Sequence, residues 1–262
     1  MGLRGLAALW LVLGACQAQG QITWPEGKRA AIVLTYDDAL RSQLDFVIPQ
    51  LDAAKIKGTF FLDGDLTPAD MRRWRAAAAN GHELGNHSLF HPCPRAMLPD
   101  RTNYLTDNYD VARMLEEIAA MNNVLFGIDG RTSRTYSVPC SQTLVGDEDY
   151  TESLRRSGHI RYARTGGDQW NSVIVDFAKL DFFRVPSYGP TNEPGAGDLI
   201  AYAKRVGAAG GLGVFQFHGV GGDYLKVSAP AHQALMEYLR AHPDIWVGTF
   251  QEVLDYANPH SR

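Results

Sequence analysis

Three sets of side chains in this sequence are of types and spacings that do chemistry. The first is Asp37-Asp38, which ends Thr35-Tyr36-Asp37-Asp38 directly after the apolar run Ala30 to Tyr36. Two adjacent carboxylates at the end of a buried segment repel each other and lose hydration, so they are costly without cationic partners. Helix capping would account for one aspartate, but not for the pair. The second set is His87 and His91, four residues apart, a spacing that on a helical turn puts both imidazoles on one side. Such a pair is more often incidental than functional. Joined by a carboxylate from another strand end, it becomes a common recipe for a divalent metal with open coordination positions. Asp38 is that carboxylate. His82 lies ahead of its strand and is left out of the set. The third is His218, which follows the apolar run Gly213 to Phe217 and precedes Gly219, Gly221 and Gly222. A histidine there suits proton transfer beside a flexible backbone; the bland alternative is a capping histidine.

Something must bring these fragments together. Apolar runs at Ala30–Tyr36, Gly58–Leu62, His82–Asn86, Thr135–Val138, Ile160–Ala163, Phe182–Val185, Val214–Phe217 and Ile245–Val247 read as strands. Helical patterns over Gln43–Ala54, Thr67–Asn80, Tyr109–Leu125, Tyr150–Ser157, Gly197–Ala209, Pro230–Ala241 and Thr249–Tyr256 alternate with them. Pro49 should kink the first helix, and Thr67-Pro68 caps and opens the second. This alternation predicts an α/β fold, a distorted (β/α) barrel of about seven parallel strands with outer helices. In such a barrel the chemistry gathers where strands end and loops begin. The three sets lie at those places.

The chain has 262 residues, 45% hydrophobic and 21% charged, with a net charge of −4. That describes one ordinary globular domain, read over residues 21–262, and the absence of any basic run argues against nucleic acid. Residues 1–20 differ. Arg4, the apolar stretch Gly5 to Ala15 and the small polar Gln17 to Gly20 have the order of a secretory signal. Leu13-Gly14-Ala15-Cys16 fits a lipoprotein box, with Cys16 lipidated as the only membrane attachment; Ala18-x-Gly20 fits ordinary cleavage before Gln21. Either reading puts the mature domain outside the cytoplasm, secreted or periplasmic. The two cysteines left over, Cys93 and Cys140, are then expected to pair, making the loop after His91 a neighbour of the loop after Pro139.

These motifs together resemble the polysaccharide deacetylases, carbohydrate esterase family four. Thr35-Tyr36-Asp37-Asp38 is similar to the family's Thr-Phe-Asp-Asp. His87-Ser88-x-x-His91 matches His-Ser/Thr-x-x-His, and His218 matches the histidine that ends its last motif. The resemblance spans nearly the whole mature chain. It implies a divalent metal, usually Zn2+, on Asp38, His87 and His91, with Asp37 as general base and His218 as general acid. The oxyanion would be held by the metal and a backbone N–H at Pro139-Cys140. The sequence departs from the family's third motif, Arg-x-Pro-Tyr: here Ser137-Val138-Pro139-Cys140 stands in its place. Arg184 or Arg164 would supply the missing positive charge from a later strand. Asp168-x-Trp170 corresponds to the fourth motif, with Trp170 able to stack on a sugar ring.

The expected activity is removal of acetyl groups from a polysaccharide. The first candidate is the N-acetyl group of an N-acetylglucosamine glycan such as chitin, peptidoglycan or an exopolysaccharide, and the alternative is O-deacetylation of acetylxylan. A catalytically silent carbohydrate-binding relative is disfavoured, since it would have no use for Asp37, Asp38, His87, His91 and His218 together. A phosphoesterase would bring more carboxylates or a second metal cluster.

Overall fold

In the computed structural model residues 22–258 are described; the expected signal and Cys16 lie outside them. Strand β1 (Ala30–Asp37) is the centre of the main sheet. It pairs in parallel with β2 (Thr59–Leu62), β9 (Leu212–Phe217) and β10 (Ile245–Gly248), while β3 (Glu83–Asn86), β4 (Thr135–Ser137) and β7 (Tyr162–Arg164) follow in parallel beyond β2. Seven parallel strands are thus joined among the described residues, with the short β8 (Val173–Ile174) antiparallel on β9. A separate hairpin, β5 (Leu144–Val145) and β6 (Glu148–Asp149), lies off this sheet. The expected barrel and its parallel strands are present.

Both faces of β1 are buried along its length, which is why it reads as a continuous apolar run. Alternate residues divide between two cores. Ile32, Leu34 and Tyr36 pack under the outer helices, while Ala31 and Val33 join Phe61, Val214 and Phe250 in the other core. The outer layer consists of α1 (Ile48–Ala54), α2 (Pro68–Ala79), α3 (Val111–Asp129), α4 (Thr151–Ser157), α5 (Ala196–Ala209), α6 (Ala229–Ala241) and α7 (Phe250–Ala257). Thr67 caps α2 as expected, accepting from the Asp70 N–H at 3.2 Å. Near Pro49 the chain passes from a wide π-turn over Gln43–Val47 into α1.

The expected strand at Phe182–Val185 does not form as such. This segment instead runs between the edges of β7 and β9 and gives each a single bridge, Arg164 with Val185 and Tyr188 with Phe215. Val185 exchanges backbone bonds with Ala163 and Thr165, and Tyr188 with Val214 and Gln216. Too few pairs reach either neighbour to make a ladder, yet the segment closes the gap in the barrel wall.

Because the strands are parallel, their C-terminal ends share one rim. Asp37, Ser137 and Arg164 are the last residues of β1, β4 and β7; Asp63, His87 and His218 come directly after β2, β3 and β9.

Candidate active site

Successive residues of a strand point to opposite faces, so Asp37 and Asp38 could not share one site if β1 continued. It does not. Asp38 has φ 75° and Ala39 φ 53°, a left-handed turn that swings the second carboxylate into the cleft already faced by Asp37. Positive φ recurs around this rim at Ser88, His91, Cys140 and Ser141. Such conformations are costly, and they gather where a site needs side chains aimed.

His87 and His91 do meet, with ring centroids 4.6 Å apart. They do so on a loop, not on the helical turn that their spacing had implied. Two left-handed residues, with the His91 N–H bonded to Ser88 Oγ at 3.0 Å, fold the loop instead. Nδ1 of His87 lies 2.7 Å from the Ser137 carbonyl, which can only accept, so Nδ1 keeps its proton and Nε2 is the nitrogen that, once deprotonated, offers a lone pair to the cleft. That Nε2 is 3.1 Å from Asp38 Oδ1, and His91 Nε2 is 3.4 Å from the same oxygen. Asp38 Oδ1 is buried and has no hydrogen bond of good geometry. A buried carboxylate oxygen facing two imidazole nitrogens, all three within 4.8 Å of one another, suits a divalent cation. His82, as expected, stands apart: it is buried against the Gly58 N–H and Asp52.

Asp37 is held differently. Its carboxylate and Arg164 are both almost fully buried, and Arg164 Nη2 reaches Oδ1 at 2.6 Å and Oδ2 at 2.5 Å. Arg164 Nη2 also donates to Ser137 Oγ at 2.5 Å, and Nη1 to Ser187 Oγ at 3.0 Å. Ser137 and Arg164 are paired residues of the β4–β7 ladder. The arginine missing from Ser137-Val138-Pro139 is therefore replaced from the adjacent position one strand over, and the small serine leaves room for it. Arg164 is the partner; Arg184 is not. Arg184 is tied on the surface to Asp149 at 2.5 Å, and it borders only an outer lobe of the cleft.

The charges set the protonation of the site. Burial pushes the Asp37 carboxyl up, but Arg164, His87 and His218 outweigh it, and it sits below the usual carboxylate range. Asp38 is likewise lowered, burial being outweighed by His87, His91 and His218. Burial favours the neutral form of His87, yet Asp37 and Asp38 lift its pKa to about 9. His91, with burial and the charge of His87 against it, falls to about 4. His218, 3.7 Å from Asp38 Oδ2 through Nε2, borders both lobes of the cleft.

Cys93 and Cys140 form a disulfide with Cα atoms 5.8 Å apart, and Cys93 Sγ lies 3.5 Å from His91 Nδ1. The bridge ties the His91 loop to the turn after β4. Cys140 lines the main cleft, of about 840 Å³, with Val138 and Ser141; Pro139 is buried and does not line it. Asp168 and Trp170 do not reach the site either. Asp168 accepts from the N–H groups of Trp170 and Asn171, a local turn, and Trp170 is 66% exposed beneath Arg205. The letters of the fourth motif are present, but the turn they build faces outward.

Several residues of the site were missed from sequence. Gln216 donates to Asp37 Oδ2 at 3.2 Å; as the one polar residue inside an apolar strand, two before His218, it could have been noticed. Buried Gln43 donates to the backbone oxygens of Asp37 (2.5 Å) and His218 (3.2 Å), joining the two strand ends. Asp63 faces the main cleft, where burial lifts its carboxyl to about 6.

Residues 25–159 match the polysaccharide deacetylase family, and the chain belongs to it. The fold agrees. A structure described as that of a polysaccharide deacetylase from Mycobacterium smegmatis superposes with a TM-score of 0.64 at 15% identity, covering 91% of this chain and 93% of that one. The Xyl-CE4 domain of a multidomain xylanase from the hindgut metagenome of Trinervitermes trinervoides gives 0.58 at 16% identity, over 86% and 90%. Peptidoglycan deacetylase PdaC from Bacillus subtilis gives 0.53 at 18%, over 87% and 91%. At these identities the likeness is one of fold. An uncharacterized protein, YlxY of Bacillus subtilis (strain 168), is 39% identical over 49 residues, which is 19% of this chain and 15% of that protein. The family is generally metal-dependent and acts on polysaccharides.

Proposed function

We propose that this deacetylase is an extracytoplasmic, metal-dependent enzyme that hydrolyses N-acetyl groups of an N-acetylglucosamine-containing glycan. The observation that carries the reading is Asp38 Oδ1, buried and without a hydrogen bond, opposite Nε2 of His87 and His91. Two imidazoles and one carboxylate are a donor set suited to Zn2+. When bound, the metal supplies Lewis acidity, polarising the acetyl carbonyl and lowering the pKa of water.

The chain's own residues do the rest. Asp37, ionised and oriented by Arg164, Ser137 and Gln216, takes the proton of the attacking water. The backbone N–H of Cys140, on the left-handed turn at the cleft wall, is the donor for the developing oxyanion. His218 gives a proton to the departing sugar nitrogen. Secretion through residues 1–20 accords with the Cys93–Cys140 disulfide, which an oxidising compartment preserves.

The test is metal analysis of the purified protein together with acetate release from acetylated chitooligosaccharide and acetylxylan. A stoichiometric divalent metal and acetate from the chitooligosaccharide are expected. Acetate from acetylxylan alone would move the reading to O-deacetylation, and no metal or no acetate from either substrate would end it.

A further inference from the structure

The loop after β9 is built to present one hydroxyl. A side chain on Gly219 would collide with the carbonyls of Gly222 and Tyr224, so only glycine lets the loop close. Closed, it is laced by Gly219 N–H to Tyr224 O (3.1 Å), Val227 N–H to Gly219 O (3.0 Å) and Gly221 N–H to Val227 O (2.8 Å). It is also fastened to the segment that follows Asp38. The Ser42 N–H donates to Asp223 Oδ2 at 2.8 Å, and the Val220 N–H donates to Ser42 Oγ at 3.2 Å. At the tip, Tyr224 is half exposed, lines the main cleft and donates its hydroxyl proton to Asp38 Oδ2 at 2.7 Å.

The two oxygens of Asp38 therefore have separate partners. Oδ1 faces His87 and His91; Oδ2 accepts the Tyr224 hydroxyl, with His218 Nε2 farther off at 3.7 Å. We propose that Tyr224 is a positioning residue that holds Asp38 as a one-oxygen metal ligand, keeping Oδ2 off the ion. The proposal rests on the metal site read above. Groups that fix a ligand in this way are worth roughly 10–100-fold in metal affinity or activity. Without the hydroxyl, the carboxylate is free to turn or to chelate, and a position needed by water or by the acetyl oxygen is lost.

The experiment is a Zn2+ titration of the metal-free protein against a chromophoric chelator, without substrate, for wild type, Tyr224→Phe and Asp223→Ala. Tyr224→Phe should raise the Zn2+ Kd about 10-fold or more. Asp223→Ala, which only loosens the loop, should raise it by less. Loaded with Co2+, Tyr224→Phe should show a visible absorption different from that of wild type, because the carboxylate is no longer held to the ion through one oxygen. Its kcat should fall while KM stays unchanged. If wild type binds Zn2+ and Tyr224→Phe binds it within twofold, with an unchanged Co2+ spectrum, the tyrosine proposal is overturned and the metal site stands. If wild type binds neither ion at Asp38, His87 and His91, the metal reading falls and takes this proposal with it. If Tyr224→Phe fails to fold, the Asp223→Ala titration decides: a raised Kd supports the proposal and an unchanged one overturns it.

Discussion

Two fully buried carboxylates sit at opposite ends of this barrel and are stabilised in opposite ways. At the C-terminal rim, Asp37 is paired with a guanidinium and has histidines nearby, and its pKa is lowered. At the other end, Glu83 opens β3 and accepts only from neutral donors: the hydroxyls of Thr59 and Thr135 and the backbone N–H of Gln251. Burial there outweighs the hydrogen bonds, and its pKa is raised. At Glu83 the neutral donors do not offset the cost of burial, whereas at Asp37 the nearby positive charges do. Glu83 stitches β2, β3, β4 and the start of α7, whereas Asp37 is left ionised and aimed at a cleft. The first arrangement serves the fold, and the second suits a general base.

The harshest way to break this contrast is Arg164→Met. It leaves Asp37 as an unpaired buried charge, so the variant should lose about 3–5 kcal/mol of stability in denaturant unfolding. Acetate release should fall by roughly 10²-fold or more, in the range of a lost general-base contribution. Adding Asp37→Asn to Arg164→Met should restore much of the stability and none of the activity. Stability that is unchanged in the single variant would mean that the pair contributes little. Opening the disulfide with Cys93→Ser comes next. By freeing the His91 loop from the turn after β4, it should lower kcat/KM by about 10-fold, the scale of lost support for a metal ligand. Unchanged Zn2+ affinity and turnover would show that the loop holds its shape unaided.

The protonation of His87 gives a third expectation. With its pKa near 9 in the metal-free protein, His87 must release a proton when its Nε2 binds an ion. Zn2+ affinity should therefore rise by about 10-fold per pH unit between pH 6 and 8, read by chelator competition. A flat profile would place the metal elsewhere. The smallest effect is expected at the other end of the barrel. Glu83→Gln should cost about 1–2 kcal/mol, as one acceptor arrangement is exchanged for a poorer one, with acetate release unchanged. The two carboxylates should also differ in sign. The lowered Asp37 contributes stability that is present above its unfolded pKa and lost as pH falls through its folded one. The raised Glu83 contributes stability that is present below its unfolded pKa and lost as pH rises through its folded one. Unfolding curves of Asp37→Asn and Glu83→Gln against pH should deviate from wild type in opposite directions.

Much of this was legible from the chain because it is local. An aspartate pair at the end of an apolar run, a spaced histidine pair and a histidine after a strand each sit within a few residues, and parallel strands bring their ends together without further information. Pro49 and Thr67-Pro68 act locally as well. What was not legible depends on register. Choosing Arg164 over Arg184 requires knowing that residue 164 lies beside residue 137, a fact of the β4–β7 ladder that no spacing encodes. The same holds for Tyr224, which reaches Asp38 across 186 positions. Asp168-x-Trp170 misled because an aspartate capping its own turn has the same letters as a site motif. The reading of Phe182–Val185 as a strand failed for a related reason, since an apolar run that meets each neighbour at one residue looks like a strand in sequence.

The central claim is the division of labour between two adjacent aspartates, and the most direct test is metal content and acetate release of Asp37→Asn and Asp38→Asn side by side. Asp37→Asn should keep a full complement of metal and release no acetate, while Asp38→Asn should lose the metal. Loss of metal from Asp37→Asn with retention in Asp38→Asn would contradict the account, and the two roles would have to be exchanged.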